Sequence, residues 1–188
     1  MSGDTTFNDV SRADACADLV MDEETFRAFY DRTARGVWAY LARVTGDRQL
    51  ADDLLQETFY RFLRAAAVYE SEDHRRRSLY RIATNLARDA HRRNLLYGLT
   101  SLAGDDIERI ASADRTVATE GSADFSRAMA NLKPRDRAML WLAYAEGASY
   151  SEIADVLGLR PASLKPMLFR ARRRLAELLG RRSKGSSR

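Results

Sequence analysis

Apolar residues recur along most of this 188-residue chain at the three- and four-residue spacing of amphipathic helices. The clearest apolar stripe lies at residues 164–178, and the opposite side of that predicted helix is basic. The stripe consists of Leu164, Leu168, Ala171, Leu175 and Leu178. Before it, Ser149 and Glu152 have the spacing of a capping box, which begins a helix. Gly158 supplies the stop of that short helix, and Pro161 suits the first turn of the next. Two helices joined at a glycine turn, the second one basic, predict a helix-turn-helix.

The same periodicity predicts three longer helices in the first half of the chain. The first begins at Asp22 and ends at a turn at Gly46, and Asp47 is placed to cap the second. A polar turn, VYESEDHRRRS, precedes the third, which is expected to run over residues 78–93. Because the chain holds few prolines and no long β-branched run, we predict an all-α protein.

Between the two helical regions the pattern breaks, and residues 98–124 hold 6 acidic and 2 basic side chains among glycine, serine and threonine. Gly180 is expected to stop the last helix. We therefore predict two small helical domains joined by a flexible acidic linker. The five predicted segments are an acidic extension (1–21), a first helical domain (22–95), the linker (96–124), a helix-turn-helix domain (125–180) and a basic tail (181–188).

Charge is distributed unevenly, although the net charge is only +4 and the pI about 9.4. Residues 133–188 hold 13 basic and 5 acidic side chains, and residues 73–93 hold 7 arginines and 2 aspartates. Residues 1–24, in contrast, hold 7 acidic side chains and 1 basic one. This asymmetry predicts two basic helical surfaces for nucleic acid, with an acidic arm that could compete for them.

Several classes of function find no support in the sequence. Cys16 is the only cysteine, and His74 and His91 are the only histidines, so neither a disulfide nor a zinc-ligand spacing is expected. There is no glycine-rich phosphate loop and no plausible nucleophile–base pair. We therefore expect no enzyme activity, metal or cofactor. The absence of a signal peptide or a membrane-length apolar run predicts a cytoplasmic protein without membrane insertion.

Two stretches resemble bacterial RNA polymerase sigma factors of the extracytoplasmic-function (ECF) type. The first is LADDLLQETFYRFLRA followed by LYRIATNLARDAHRR, and the second is LKPRDRAMLWLAYAEGASYSEIADVLGL with FRARRRL. They cover about residues 26–93 and 125–179 and occur in the family's order. The resemblance implies a region 2 that binds core polymerase and melts the −10 element, and a region 4 that reads the −35 element.

The resemblance also implies three sets of site residues, none of them catalytic. An acidic ridge on the outer side of the second helix falls on the polymerase-binding surface: Asp52, Asp53, Gln56, Glu57 and Tyr60. The segment 69–93 falls where the family captures an unstacked base and contacts −10 DNA, with Arg75, Arg76, Arg77, Tyr80, Arg81, Asn85, Arg88, Asp89, Arg92 and Arg93. The −35 set lies on and beside the last helix: Arg160, Ser163, Lys165, Met167, Arg170, Arg172, Arg173 and Arg174.

Three departures from the family pattern change these expectations. Many relatives have an aromatic residue where Ser78 stands, so strand separation is expected to fall to Tyr80 or to be weaker. Pro166 is expected to bend or delay the recognition helix. Met167 replaces a basic residue, so the preferred −35 sequence is not expected to follow the family.

The expected partners are core RNA polymerase, promoter DNA and an anti-sigma factor. The competing hypothesis is a stand-alone helix-turn-helix regulator that does not bind polymerase. That hypothesis leaves the acidic ridge and the basic face from Arg81 to Arg92 unexplained. Co-purification with core polymerase separates the two.

Overall fold

The computed structural model describes residues 21–65, 69–96 and 120–183, and every regular element in these ranges is an α-helix. This confirms the predicted all-α class. In chain order the helices are α1 (Glu23–Thr45), α2 (Arg48–Arg64), α3 (Glu72–Leu96), α4 (Glu120–Ala130), α5 (Pro134–Tyr144), α6 (Tyr150–Leu157) and α7 (Pro161–Ser183). Most of the predicted acidic arm and most of the predicted linker lie outside the described residues.

Side-chain caps fix the ends of the first helices where the sequence predicts them. The Thr25 amide donates to the Asp22 carboxylate at 2.7 Å, and the Leu50 amide donates to Asp47 Oδ1 at 3.0 Å. Between them Gly46 adopts φ 78°, a left-handed conformation that favours glycine and ends α1. The turn between α1 and α2 is therefore set by local chemistry.

The predicted helix-turn-helix is confirmed as α6 and α7. The Glu152 amide donates to Ser149 Oγ at 3.4 Å, and the Ser149 amide donates to Glu152 Oε2 at 2.8 Å, which completes the capping box. Gly158 has φ 63° and ends α6, and α7 begins at Pro161. These contacts hold the two helices at a short, defined turn.

Three helix boundaries differ from the prediction. Helix α3 begins at Glu72, because the Ser71 hydroxyl accepts from the His74 amide at 3.1 Å and two acidic residues favour its first turn. Helix α4 begins at Glu120, inside the predicted linker. Helix α7 runs uninterrupted through Pro166 and past Gly180, so the predicted delay and the predicted stop are wrong. A helical glycine costs only about 1 kcal/mol relative to alanine, and packing of the preceding turns outweighs it.

The core is continuous across both halves of the chain. Phe29, Leu41 and Leu79 are fully buried where α1, α2 and α3 meet, and Met139 and Ile153 are fully buried in the second half. In addition, α1 packs against α5 and α3 packs against α6. The two predicted domains are thus in direct contact. None of the described helices is long and apolar enough to cross a bilayer.

A buried hydrogen-bond chain joins α1 to α3. Thr84 Oγ1 donates to the carbonyl of Tyr80 at 2.7 Å, so the Tyr40 hydroxyl, 2.7 Å from the same oxygen, is the donor to Thr84. Burial raises the pKa of Tyr40 to about 12. The phenol is therefore neutral in the folded protein well beyond the pH at which an unfolded tyrosine ionises.

We expect Tyr40→Phe to lower the free energy of unfolding by about 1 kcal/mol at pH 7, because Thr84 loses its donor. Above about pH 10 the unfolded chain releases the Tyr40 proton while the folded chain keeps it, so wild-type stability falls as the pH rises towards 12. The variant lacks this loss. Urea unfolding should show a smaller difference in the free energy of unfolding between the wild-type protein and the variant at pH 11 than at pH 7. A constant gap, or the same narrowing for the exposed Tyr150→Phe, would contradict the assignment.

Candidate nucleic-acid interface

The acidic ridge stands on the outer side of α2, because the buried residues of that helix turn towards α1 and α3. Asp52 Oδ1 accepts from Trp38 Nε1 at 2.6 Å, and Glu57 Oε1 pairs with Arg61 at 2.6 Å. Asp53 and Gln56 lie exposed between these anchored positions. Tyr60 is also exposed and accepts a hydrogen bond from Arg64 at 3.1 Å. The ridge is therefore an acidic surface with two of its carboxylates held by hydrogen bonds and an aromatic residue at one end.

Three rings form an aromatic stack (Phe29, Phe62 and Tyr69) beside the first turn of α3. The ring centroids are 5.3 Å apart between Phe29 and Phe62 and 5.1 Å apart between Phe62 and Tyr69, with nearly parallel planes. The Arg75 guanidinium lies over Phe29 at 5.7 Å and over Tyr69 at 5.9 Å, and His74 meets Tyr69 edge-on. Phe29 and Phe62 are buried and Tyr69 is half-buried. A π-face beside a cation suits an unpaired base.

The structure brings the predicted polar residues of α3 to one side of the helix. Arg81, Asn85, Arg88 and Arg92 are all exposed. Arg92 pairs with the neighbouring Asp89 at 3.0 Å. Arg93 is exposed one residue further along. The face therefore offers several guanidinium groups and one amide, which suits phosphates and base edges.

Part of this face contacts the second half of the chain in the present conformation. Four predicted DNA-binding arginines bind groups on or next to α6: Arg76, Arg77, Arg81 and Arg88. The sequence shows these residues as basic and outward-facing, but it gives no local sign of this docking.

Tyr80 differs from the other predicted residues because it is buried, with 4% of its surface exposed. Its ring packs edge-on against Tyr40 with centroids 5.3 Å apart. Burial, and after it the negative charge of Glu146, raises the pKa of Tyr80. Ser78 is half-buried on the same turn. This conformation therefore does not present Tyr80 to nucleic acid, contrary to the expectation from its sequence position.

The recognition helix α7 is anchored on its inner side and basic outside. Leu164 and Leu168 are buried. Arg172 donates to the Tyr144 hydroxyl at 3.1 Å, and Arg173 pairs with Glu177 at 3.0 Å. The exposed members of the predicted −35 set are Arg160, Ser163, Lys165, Arg170, Arg172, Arg173 and Arg174.

Met167 does not share their exposure. Its side chain is half-buried and packs against the core. Its place in the predicted −35 set stays a prediction, and the protein covers part of its surface.

Sequence reasoning missed two features of this surface. Phe169 lies one helical turn after Lys165 and is 60% exposed. A large apolar residue on the basic side of the predicted helix was the sequence signal that could have marked it. Lys133 and Arg135, at the start of α5, line a groove with the α7 arginines Arg170, Arg173 and Arg174. The pairing of these two helices depends on the tertiary fold, so no spacing in the sequence marks the groove.

Comparison with family models matches two parts of the chain. Residues 29–95 match the family described as Sigma-70 region 2, and residues 122–175 match Sigma-70, region 4. The two matches together include α2, α3 and the helix-turn-helix, and they fall in the order predicted from the sequence.

Similar curated proteins span much of the chain. The ECF RNA polymerase sigma factor SigE of Mycolicibacterium smegmatis is 32% identical over 86% of this chain and 62% of its own length. The RNA polymerase sigma factor CarQ of Myxococcus xanthus is 30% identical, over 84% of this chain and 91% of its own. The ECF RNA polymerase sigma factor SigL of Mycobacterium tuberculosis is 30% identical, over 79% of this chain and 85% of its own length. The chain therefore spans less than two thirds of SigE but most of CarQ and SigL.

The fold is similar to a solved structure, that of the sigma factor RpoE in complex with the anti-sigma factor NepR from Bartonella quintana. The TM-score is 0.63, with 22% sequence identity, and the match covers 82% of this chain and 96% of that one.

Proposed function

This chain belongs to the ECF group of the sigma-70 family of RNA polymerase sigma factors, and on that premise we propose that it joins core RNA polymerase and directs it to promoters with −10 and −35 elements. It acts as a binding subunit without chemistry of its own, in the cytoplasm with the polymerase. The complex of the similar RpoE with NepR supports an anti-sigma factor as a further partner.

One observation supports this proposal over a stand-alone regulator. A regulator that uses only α6 and α7 needs neither the acidic ridge on α2 nor the aromatic stack beside α3. The ridge lies at the surface and the stack reaches it only through Tyr69, and both lie in the half of the chain without the helix-turn-helix. Two DNA-reading domains on one chain also bind more tightly than either alone, because the second contact becomes intramolecular.

We assign each surface a role on this basis. In the domain at residues 22–95, the ridge binds core polymerase, while the aromatic stack and the α3 cations hold the melted −10 strand. In the domain at residues 125–180, α7 enters the major groove of the −35 element. Counterion release from phosphates supplies much of the affinity, so DNA binding should weaken steeply with salt.

The experiment that tests this proposal is co-elution with core polymerase. Asp53→Arg with Gln56→Arg should weaken association roughly tenfold, because both side chains are exposed at the centre of the ridge and reversed charge opposes a complementary partner surface. Asp52 and Glu57 are left intact because they hold Trp38 and Arg61.

The matched control is Glu24→Arg with Ala28→Arg, which adds the same charge on exposed positions of α1. The control should bind core polymerase as the wild-type protein does, and circular dichroism should show equal helicity in all three proteins. Absence of wild-type co-elution would reject the proposed function, and equal binding by all three would reject the ridge as its site.

A further inference from the structure

We propose that the packing of α3 against α6 is a self-inhibited state, in which acidic groups of the second domain occupy the −10 DNA-binding cations of the first. The inference rests on the proposed function and adds a regulatory step to it. The occupied cations belong to the set assigned to the −10 strand, and the groups that occupy them belong to the helix-turn-helix domain.

Two ion pairs join the first turns of α3 to the turn before α6 and to the start of α6. Arg76 pairs with Glu146, whose side chain is only 10% exposed. Arg77 Nη1 donates to Glu152 Oε1 at 2.7 Å. Glu152 therefore serves twice, since its second oxygen closes the capping box of α6. The residue that begins this helix also ties it to the first domain.

Two further contacts follow along the same side of α3. Arg81 lies 3.6 Å from the Asp155 carboxylate, and Arg88 Nη2 donates to the carbonyl of Leu157 at 3.1 Å. Leu157 is the last residue of α6, where unsatisfied carbonyls carry the negative end of the helix dipole. From Arg76 to Arg88, α3 thus meets a row of negative groups, much as it would meet a phosphate backbone.

Contacts made by α1 and α5 extend the interface beside this row. Trp141 Nε1 donates to Glu146 at 3.3 Å, and the Arg43 guanidinium of α1 lies 5.9 Å from the Trp141 ring centroid. Gly36 of α1 allows a close approach on both sides of the interface, since a Cβ added there would lie 3.1 Å from the Tyr80 hydroxyl and 3.5 Å from Glu146 Oε1. The docking is therefore shaped by packing as well as by charge, and Trp141 reports on it.

The closed state is held weakly enough to be opened by partners. The arginine side chains of the three ion pairs are about one third to one half exposed, and such pairs contribute little individually. A guanidinium bound to α6 is not available to a phosphate, so closure and −10 binding compete for the same groups. Closure therefore lowers the apparent DNA affinity of the isolated protein, because only the open fraction of the molecules can bind the strand.

The test is the triple variant Glu146→Gln, Glu152→Gln, Asp155→Asn, which removes the negative charges but keeps side-chain size. Glutamine can still serve in a capping box, so α6 is expected to fold. In a Trp38→Phe background, Trp141 is the sole tryptophan. Acrylamide should quench it more strongly in the variant, and binding to a fluorescent fork-junction DNA with a randomised single-stranded arm should tighten about three- to tenfold.

The matched control is Glu23→Gln, Glu24→Gln, Asp31→Asn, which changes the net charge equally at exposed α1 positions. An equal gain in DNA affinity by the control and the triple variant would overturn the proposal. Stronger quenching of Trp141 without tighter DNA binding would also overturn it. Failure of the proposed function would appear elsewhere, as missing co-elution of the wild-type protein with core polymerase.

Salt gives a second, independent readout. Added salt weakens phosphate contacts, which lowers DNA affinity in every variant. In a protein that closes, salt also weakens the ion pairs of the closed state, which raises the open fraction and offsets part of that loss. The wild-type protein should therefore lose DNA affinity less steeply with salt than the triple variant does. Parallel salt slopes would overturn the inference.

Discussion

Replacing Tyr69 by alanine should weaken binding to a melted −10 strand by roughly 10- to 100-fold and leave duplex binding unchanged. The outermost ring of the aromatic stack is the part that reaches solvent, and stacking of one base on an aromatic ring contributes about 1–3 kcal/mol. Duplex DNA keeps its bases stacked internally, so it gains nothing from this ring. The measurement is fluorescence anisotropy with fork-junction and duplex probes in the presence of core polymerase.

Two variants control this prediction. Tyr69→Phe keeps the ring and should bind the fork-junction probe almost as well as the wild-type protein. Tyr60→Ala removes an exposed tyrosine from the acidic ridge and should leave fork-junction binding intact once the holoenzyme is assembled. An equal loss on duplex and fork-junction DNA would mean that Tyr69 supports the fold of the domain instead of holding a base.

The second large effect is expected in the recognition helix, where Lys165→Ala should change the preferred −35 sequence by roughly 1–3 kcal/mol at one base pair. Lys165 is exposed near the N-terminal end of α7, the end that usually meets base edges. Phe169, one turn later, is placed to add an apolar contact such as one to a thymine methyl group.

Arg173→Ala is the comparison, because three successive helical residues point about 100° apart and cannot all face bases. Arg172, Arg173 and Arg174 should mostly contact phosphate, so the Arg173 variant should bind all sequences more weakly and lose about one unit of salt slope. The test is a binding selection on randomised −35 DNA. A new preferred sequence with Arg173→Ala, but not with Lys165→Ala, would show that the groove-facing side of α7 is assigned wrongly.

The sequence predicts the features of this fold that depend on neighbouring residues. The caps at Asp22 and Asp47, the capping box at Ser149 and the left-handed stop at Gly158 each involve groups within a few residues of one another. The buried stripe of α7 follows from helical period alone. Such signals are readable because each is complete within one or two turns.

Features that depend on distant residues could not be read in this way. Arg77 and Glu152 are 75 positions apart, and each looks like an ordinary surface charge on its own helix. Tyr80 enters the −10 set only through the family resemblance, and in the fold it is buried with its ring packed against Tyr40 of α1. The early start of α3 has a different cause: the arginine-rich polar sequence resembles a turn, although Ser71 caps the helix and its first turn is acidic.

Pro166 changes the main-chain hydrogen bonding of α7. Proline has no amide hydrogen, so the carbonyl of Ala162, four residues earlier, lacks its intrahelical donor although the helix is continuous there. An acceptor supplied by the main chain thus lies in the exposed early turns of α7, beside Lys165. Transplanting the exposed side chains of α7 onto a related helix without proline would not transfer this acceptor. Promoter preference in such a chimera should therefore be inherited only in part.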